Sequence, residues 1–304
     1  MSSRIRPQAA PIRLQTKQKR TLVLTFFPQC FVLLFGGQYL GLPDPKYFHF
    51  EFVQIKKHAR AAARLWRPFA FGGKMEKIHL SKRLTAIAAL VPPEGGLADV
   101  GTDHGYIPIW LLQNGFSGSV FATDINAAPL ERARLSADEN RLADKIDFRL
   151  CNGLAAVDSA KIDTVIIAGM GGETIAAILE AAPWTHEKHL IFQPMTKSER
   201  LRLWLFENNY KVLSEHLVKD GAIYELLTAT GGSDRPYSDS ELLTGHLDLI
   251  RSDRLFPARL SVLISRTRRA LSGLESTEKA ASSNRLDDLK RELRELEDMQ
   301  IQFT

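Results

Sequence analysis

Cysteine is nearly absent: Cys30 and Cys151 are the only two in 304 residues. They cannot build a disulfide framework, and no Cys-x-x-Cys or Cys/His cluster offers a zinc site. No metal is expected, and a reducing compartment, the cytoplasm, fits this usage. A hydrophobic run of membrane length is missing too. Thr21 to Gly37 is apolar but is interrupted at Pro28, and it falls short of the ~20 residues a spanning helix needs. No membrane span is expected for residues 75–304. The dinucleotide signature Gly-x-Gly-x-x-Gly does not occur, which argues against a nucleotide-dependent dehydrogenase. Internal repeats and long low-complexity segments are also absent.

What remains is globular in composition, 44% hydrophobic and 25% charged, enough for one large domain or two modest ones. The net charge of +5 is misleading. Residues 1–74 carry 13 of the 40 Lys and Arg but only Asp44 and Glu51 among the acids, a net of +11 that leaves −6 for the rest. A nucleic-acid surface, if there is one, is therefore a local patch. The first 74 residues lack the regular patterning of the downstream chain. They are expected to be an atypical extension, either disordered or translated upstream sequence with Met75 the native start. A targeting or membrane segment and a genuine accessory segment are the other readings.

Downstream of Met75 the chain is organised. Ser81 can cap a helix in which Leu84, Ile87, Ala88 and Val91 share a face. Strand-like runs then alternate with helical ones: "GLADVG", "GSVFATDI", "IDFRLCNG", "IDTVIIAGMGG" and "KHLIFQPM" with helices between, closed by two strands over 210–231. This pattern predicts an α/β fold, a doubly wound, Rossmann-like and mostly parallel sheet with an antiparallel edge hairpin. In such sheets a ligand lies beyond the carboxyl ends of the strands. From residue 239 the pattern turns helical. Leu286, Leu289, Leu293 and Leu296 recur at 3-4-3 spacing, a coiled-coil seam of barely two heptads. An antiparallel hairpin with its turn near 273–284 is expected, which divides the chain into 1–74, 75–238 and 239–304.

The turn after the first strand reads Gly101-Thr102-Asp103-His104-Gly105. A carboxylate there would repel a pyrophosphate but suits a ligand bearing an amino group and a sulfonium cation. S-adenosylmethionine is such a ligand, and the strand-end acid with a glycine turn is similar to the opening of a class I methyltransferase. Asp103 serves it either by pairing with the amino group or by facing the sulfonium. Capping the next helix is the other reading. Asp124, 23 residues after Gly101, can accept both ribose hydroxyls. Asn152-Gly153 either meets the adenine edge or is an ordinary turn.

Taken together, Leu80-Ser81-Lys82-Arg83-Leu84, Asp99-x-Gly101-x-Asp103-His104-x-Tyr106-x-Pro108, Ile167-Ala168-Gly169-Met170-Gly171-Gly172 and Gln193-Pro194 make residues 75 to about 300 resemble the TrmK family. These are bacterial tRNA methyltransferases that place a methyl on N1 of adenine 22. The resemblance implies S-adenosylmethionine as cofactor, held by Asp99, Gly101, Asp103, Gly105, Asp124, Ile125, Asn152, Gly153, Gly169 and Met170. It implies Asp103, His104, Tyr106 and Gln193 at the reacting base, and the helical hairpin as the family's C-terminal coiled coil. His104 packing at the helix start and Gln193 serving only the strand end stay open. Two departures stand out: Asn152 where the family commonly has Asp, and Met195 where it commonly has Asn. For the partner, tRNA, a basic surface is expected from Lys82, Arg83, Arg251, Arg254, Arg259, Arg266, Arg268 and Arg269. A solvated helix face is the bland alternative for that stretch. The protein is expected to be a monomer. A methyltransferase for protein or small molecules, or a non-catalytic scaffold of the same fold, are the competing functions.

Overall fold

The computed structural model describes residues 77–276 and 284–303, and the backbone of four short strands nearer the amino terminus. The chain divides into two units, Met1–Lys74 and Met75–Thr304. In the first, β1 (Ile12–Gln15), β2 (Thr21–Phe27), β3 (Cys30–Phe35) and β4 (Gln38–Leu40) pair in order as an antiparallel meander. The apolar run thus forms two paired strands, with Phe27 opposite Cys30. The remainder of the extension, and residues 277–283 of the turn expected near 273–284, lie outside the described residues. Among the described residues no helix is long and apolar enough to cross a membrane.

In the second unit, strands β5 (Leu97–Val100), β6 (Val120–Asp124), β7 (Ile146–Leu150), β8 (Thr164–Gly171), β9 (His189–Thr196), β10 (Tyr210–Asp220) and β11 (Ala222–Gly231) form one sheet, in the order β10-β11-β9-β8-β5-β6-β7. The first five are parallel. The inner strands are apolar on both faces because helices cover both. Val165 and Ile167 point to one face, with Ile175 and Leu179 of α4 (Gly172–Glu180) and Leu201 and Leu205 of α5 (Ser198–Glu207). Ile166, between them, points to the other. There it meets Ile87 of α1 (Lys82–Ala88), Ile109 of α2 (Tyr106–Gln113) and Ala133 of α3 (Ala127–Glu139). Ser81 caps α1, its side chain accepting from the Leu84 amide.

The closing hairpin turns at Gly221 (φ 73°). Its second strand, β11, pairs antiparallel with β9, so β10 becomes the sheet edge. The stretch after 238 does not start as one helix. Gly245, at φ 96°, splits it into α6 (Asp239–Thr244) and α7 (Leu247–Ile250). A side chain at 245 would collide with the Glu215 carboxylate. Helices α8 (Phe256–Glu275) and α9 (Asn284–Ile301) pack on each other through Leu260, Leu263, Ile264, Leu296 and Met299. They are not packed on themselves alone, because Leu217 of β10 belongs to the same cluster. A buried charge network reinforces that junction. Arg202 of α5, fully buried, holds Glu215 at 2.8 Å and Glu225 at 3.5 Å, and Arg259 of α8 also bonds Glu225.

Candidate active site

The switch in strand order lies between β5 and β8, and the loops beyond their carboxyl ends spread apart there. Two adjoining cavities open at this edge, of about 420 and 390 Å³. Both are bordered by Gly101, Ala168 and Gly169.

The first is lined by Asp124, Ile125, Asn152, Gly153 and Met170, backed by the α4 face at Thr174, Ala177 and Ile178. Asp124 ends β6 nearly buried, and its Oδ1 accepts the Asn126 amide at 2.8 Å. That bond fixes the carboxylate and leaves its second oxygen available to paired hydroxyls. Gly101 (φ 74°) needs its freedom: a Cβ there would collide with the Met170 methyl. Gly153 (φ 57°) similarly lies against Ile178. The cavity thus combines a hydroxyl acceptor with stretches of bare backbone. Those features fit an adenosine and its attached chain.

The second cavity is lined by Arg83, Asp99, Thr102, Asp103, His104, Tyr106 and Met195. Asp99 is buried and accepts the Thr102 hydroxyl at 2.6 Å. Burial pushes its carboxyl up to about 6, against the pull of the Thr102 bond and with a further push from Asp124. Asp103 sits at φ 48° and does not cap α2; its Oδ1 takes Arg132 Nη2 at 2.6 Å. His104 and Tyr106 stack, rings 5.1 Å apart and nearly parallel. Tyr106 and Met195 are large exposed apolar groups at this mouth, 41% and 49% accessible.

Several candidates sit elsewhere than their motifs imply. Gly105 lines neither cavity; it is the N-cap of α2, pressed against Ala133 of α3. Gln193 is fully buried: its Nε2 donates to the Pro194 carbonyl and the Met195 sulfur, and its Oε1 accepts from Arg83, so both amide hydrogens are spent within the protein. Arg259 is committed to Glu225 beneath the hairpin, and Arg268 to Glu297. Arg251, Arg254, Arg266 and Arg269 are exposed and, among the described residues, have no carboxylate partner. Lys82 on α1 is exposed as well, and its charge acts on Asp220 without a close ion pair. Thr102 and Arg132 were not foreseen. Arg132 is 29 residues from Asp103, and only the packing of α3 brings it near. Glu241, His246 and Asp248 also converge, but the Arg235 guanidinium already bonds both carboxylates.

Comparisons with known proteins agree with this geometry. Residues 80–227 match the methyltransferase domain model. The chain is 34% identical to the tRNA (adenine(22)-N(1))-methyltransferase of Bacillus subtilis over 177 residues, 57% of this chain and 74% of that protein. The crystal structure of the B. subtilis m1A22 tRNA methyltransferase TrmK superposes with a TM-score of 0.61 at 28% identity, over 75% of this chain and 97% of that one. That of M. capricolum TrmK in complex with S-adenosyl-homocysteine gives 0.63 at 27% identity, over 73% and 97%. With the sheet order, the paired cavities and these likenesses in place, the chain belongs to the tRNA (adenine(22)-N(1))-methyltransferase family.

Proposed function

We propose that this chain transfers a methyl group from S-adenosylmethionine to N1 of adenine 22 in tRNA. The observation that carries the reading is the meeting of two cavities at Gly101, Ala168 and Gly169, one holding the Asp124 carboxylate and Asn152, the other an aromatic stack.

S-adenosylmethionine supplies an electrophilic methyl group on a sulfonium. The ribose hydroxyls fall to Asp124 and the adenine edge to Asn152, whose amide oxygen keeps an acceptor where the family commonly has Asp. The methionyl amino group falls to Asp99 or Asp103. The target adenine enters the second cavity unpaired and flipped, because N1 lies on its Watson–Crick edge. Tyr106, backed by His104, offers it a stacking face, and Met195 flanks the same opening. N1 carries an in-plane lone pair, so no base is needed before attack. The adenine becomes cationic as the N–C bond forms, and the Asp99 and Asp103 carboxylates place negative potential beside it. Such a transfer needs no metal. The chain acts as a monomer in the cytoplasm, where its RNA substrate resides, and the exposed arginines of α8 hold tRNA phosphates.

The test is incubation of the full chain with unmodified tRNA transcripts and S-adenosylmethionine, then nucleoside mass spectrometry. N1-methyladenosine at position 22 is the expected product. Transfer to protein or small molecules but not to tRNA would overturn the reading.

A further inference from the structure

Arg83 stands apart from the other arginines. It is half-buried at the lip of the second cavity. Its Nη1 donates to Gln193 Oε1 at 2.5 Å, and its guanidinium lies 5.4 Å from the centre of the Tyr224 ring. Among the described residues it makes no close ion pair; Asp220 accepts its backbone amide at 3.1 Å and its guanidinium acts on that carboxylate only at longer range. A guanidinium presents five donors, and one is used. The holder is itself fixed, since the buried Gln193 amide is bonded to Pro194 and Met195 on its other side. A cation held in one orientation by a neutral amide and an aromatic face, with four donors unspent, is arranged to receive an anion.

We infer that Arg83 grips a phosphodiester flanking the adenosine that enters this cavity, and that Gln193 is the residue that positions it. The inference rests on the RNA-methylating reading above and deepens it. Arg83 shares its cavity with the stacking face of Tyr106, not with Asp124 and Asn152, which favours the RNA as source of the anion; the methionyl carboxylate, whose amino group falls to Asp99 or Asp103 in the same cavity, is the rival source that the experiment separates. A charge-neutral adenine needs no guanidinium, and a cationic product would be repelled by one placed at N1. The backbone of the flipped nucleotide is the group that profits from it.

The experiment is a cycle between protein and RNA. The unaltered chain, Arg83→Met, Arg83→Lys, Gln193→Leu and the double variant Arg83→Met with Gln193→Leu are assayed on native tRNA and on tRNA ligated to carry a neutral methylphosphonate on the 5′ or the 3′ side of adenosine 22. With the unaltered chain, one of these linkages lowers kcat/KM by about 10–100-fold, the worth of a charge-assisted hydrogen bond. Arg83→Met on native tRNA loses a similar factor, and then the neutral linkage costs it less than about threefold. Arg83→Lys recovers part of the loss, and Gln193→Leu adds nothing in the Arg83→Met background. Cofactor affinity by calorimetry is unchanged in Arg83→Met. Independent, multiplying losses at both linkages would overturn the assignment, as would a tenfold fall in cofactor affinity, which would give the guanidinium to the cofactor carboxylate. Absence of tRNA methylation by the unaltered chain would overturn the enzymatic reading itself, a result distinct from either.

Discussion

Arg132 Nη2 donates to Asp103 Oδ1 at 2.6 Å, tying the glycine turn after β5 to helix α3. Both side chains are about half exposed, so the pair contributes no more than about 1 kcal/mol to stability. The Asp103 carboxylate lies at the edge of the second cavity, where its charge matters more than its partner. Asp103→Asn retains the left-handed backbone that Asp and Asn both tolerate. It is expected to lower methyl transfer by at least about tenfold through loss of negative potential. Arg132→Gln, which frees Asp103, is expected to leave transfer within about threefold. Urea unfolding of both variants should stay within about 1 kcal/mol of the native chain.

Asp99 makes stability depend on pH. Its folded value of about 6 lies above the ordinary 3.8. The fold therefore binds this proton more tightly than the unfolded chain does. The stabilisation is complete below pH 3.8 and is lost as pH rises through 6. The difference is worth about 3 kcal/mol at most. Asp99→Asn removes the charge and keeps an acceptor for Thr102. The variant should melt higher than the native protein at pH 8, with the gain gone by pH 4. Its cofactor affinity, measured by calorimetry at pH 8, should fall. Equal melting shifts at both pH values would contradict the assignment.

Arg202 is the most exposed weakness of the fold because it is the most buried charge. Arg202→Met leaves Glu215 buried without its ion partner, and Glu225 with only Arg259. A loss of about 3–5 kcal/mol in denaturant unfolding is expected. Limited proteolysis should cut first between α6 and α8, since Arg202 also bonds the Leu242 carbonyl.

The arginines of the helical hairpin separate by their partners. Reversing Arg254, Arg266 and Arg269 to Glu should weaken tRNA binding and flatten the dependence of log Kd on log salt by about one unit for each phosphate no longer neutralised. Cofactor affinity should not change. Reversing Arg259 should destabilise the protein instead, because its charge is spent on the buried Glu225.

Much of this could be read along the chain. The Asp99 to Pro108 run specifies a strand, a tight turn and a helix start within a short stretch, so local chemistry suffices to propose its ligand. Asp124 and Asn152 are placed by being strand ends, and the period of the apolar residues locates those ends. The leucines of α9 announce a buried face through their spacing alone, and Leu289 and Leu296 are buried. The turn was less legible in detail. Asp103 could have been a cap, and its φ of 48° and its bond to Arg132 removed that option.

What the sequence by itself determined is the order of strands and helices, the glycine turn and the acids at strand ends, because those depend on neighbours within one or two turns of chain. Tertiary structure decided which charges are free. Gln193 looked like a reader of the base until packing enclosed it and gave it to Arg83. Arg259 looked like a phosphate contact until β11 brought Glu225 beneath it. Whether a charged group is available depends on which opposite charge, from a distant segment, folding has carried to within a few ångströms.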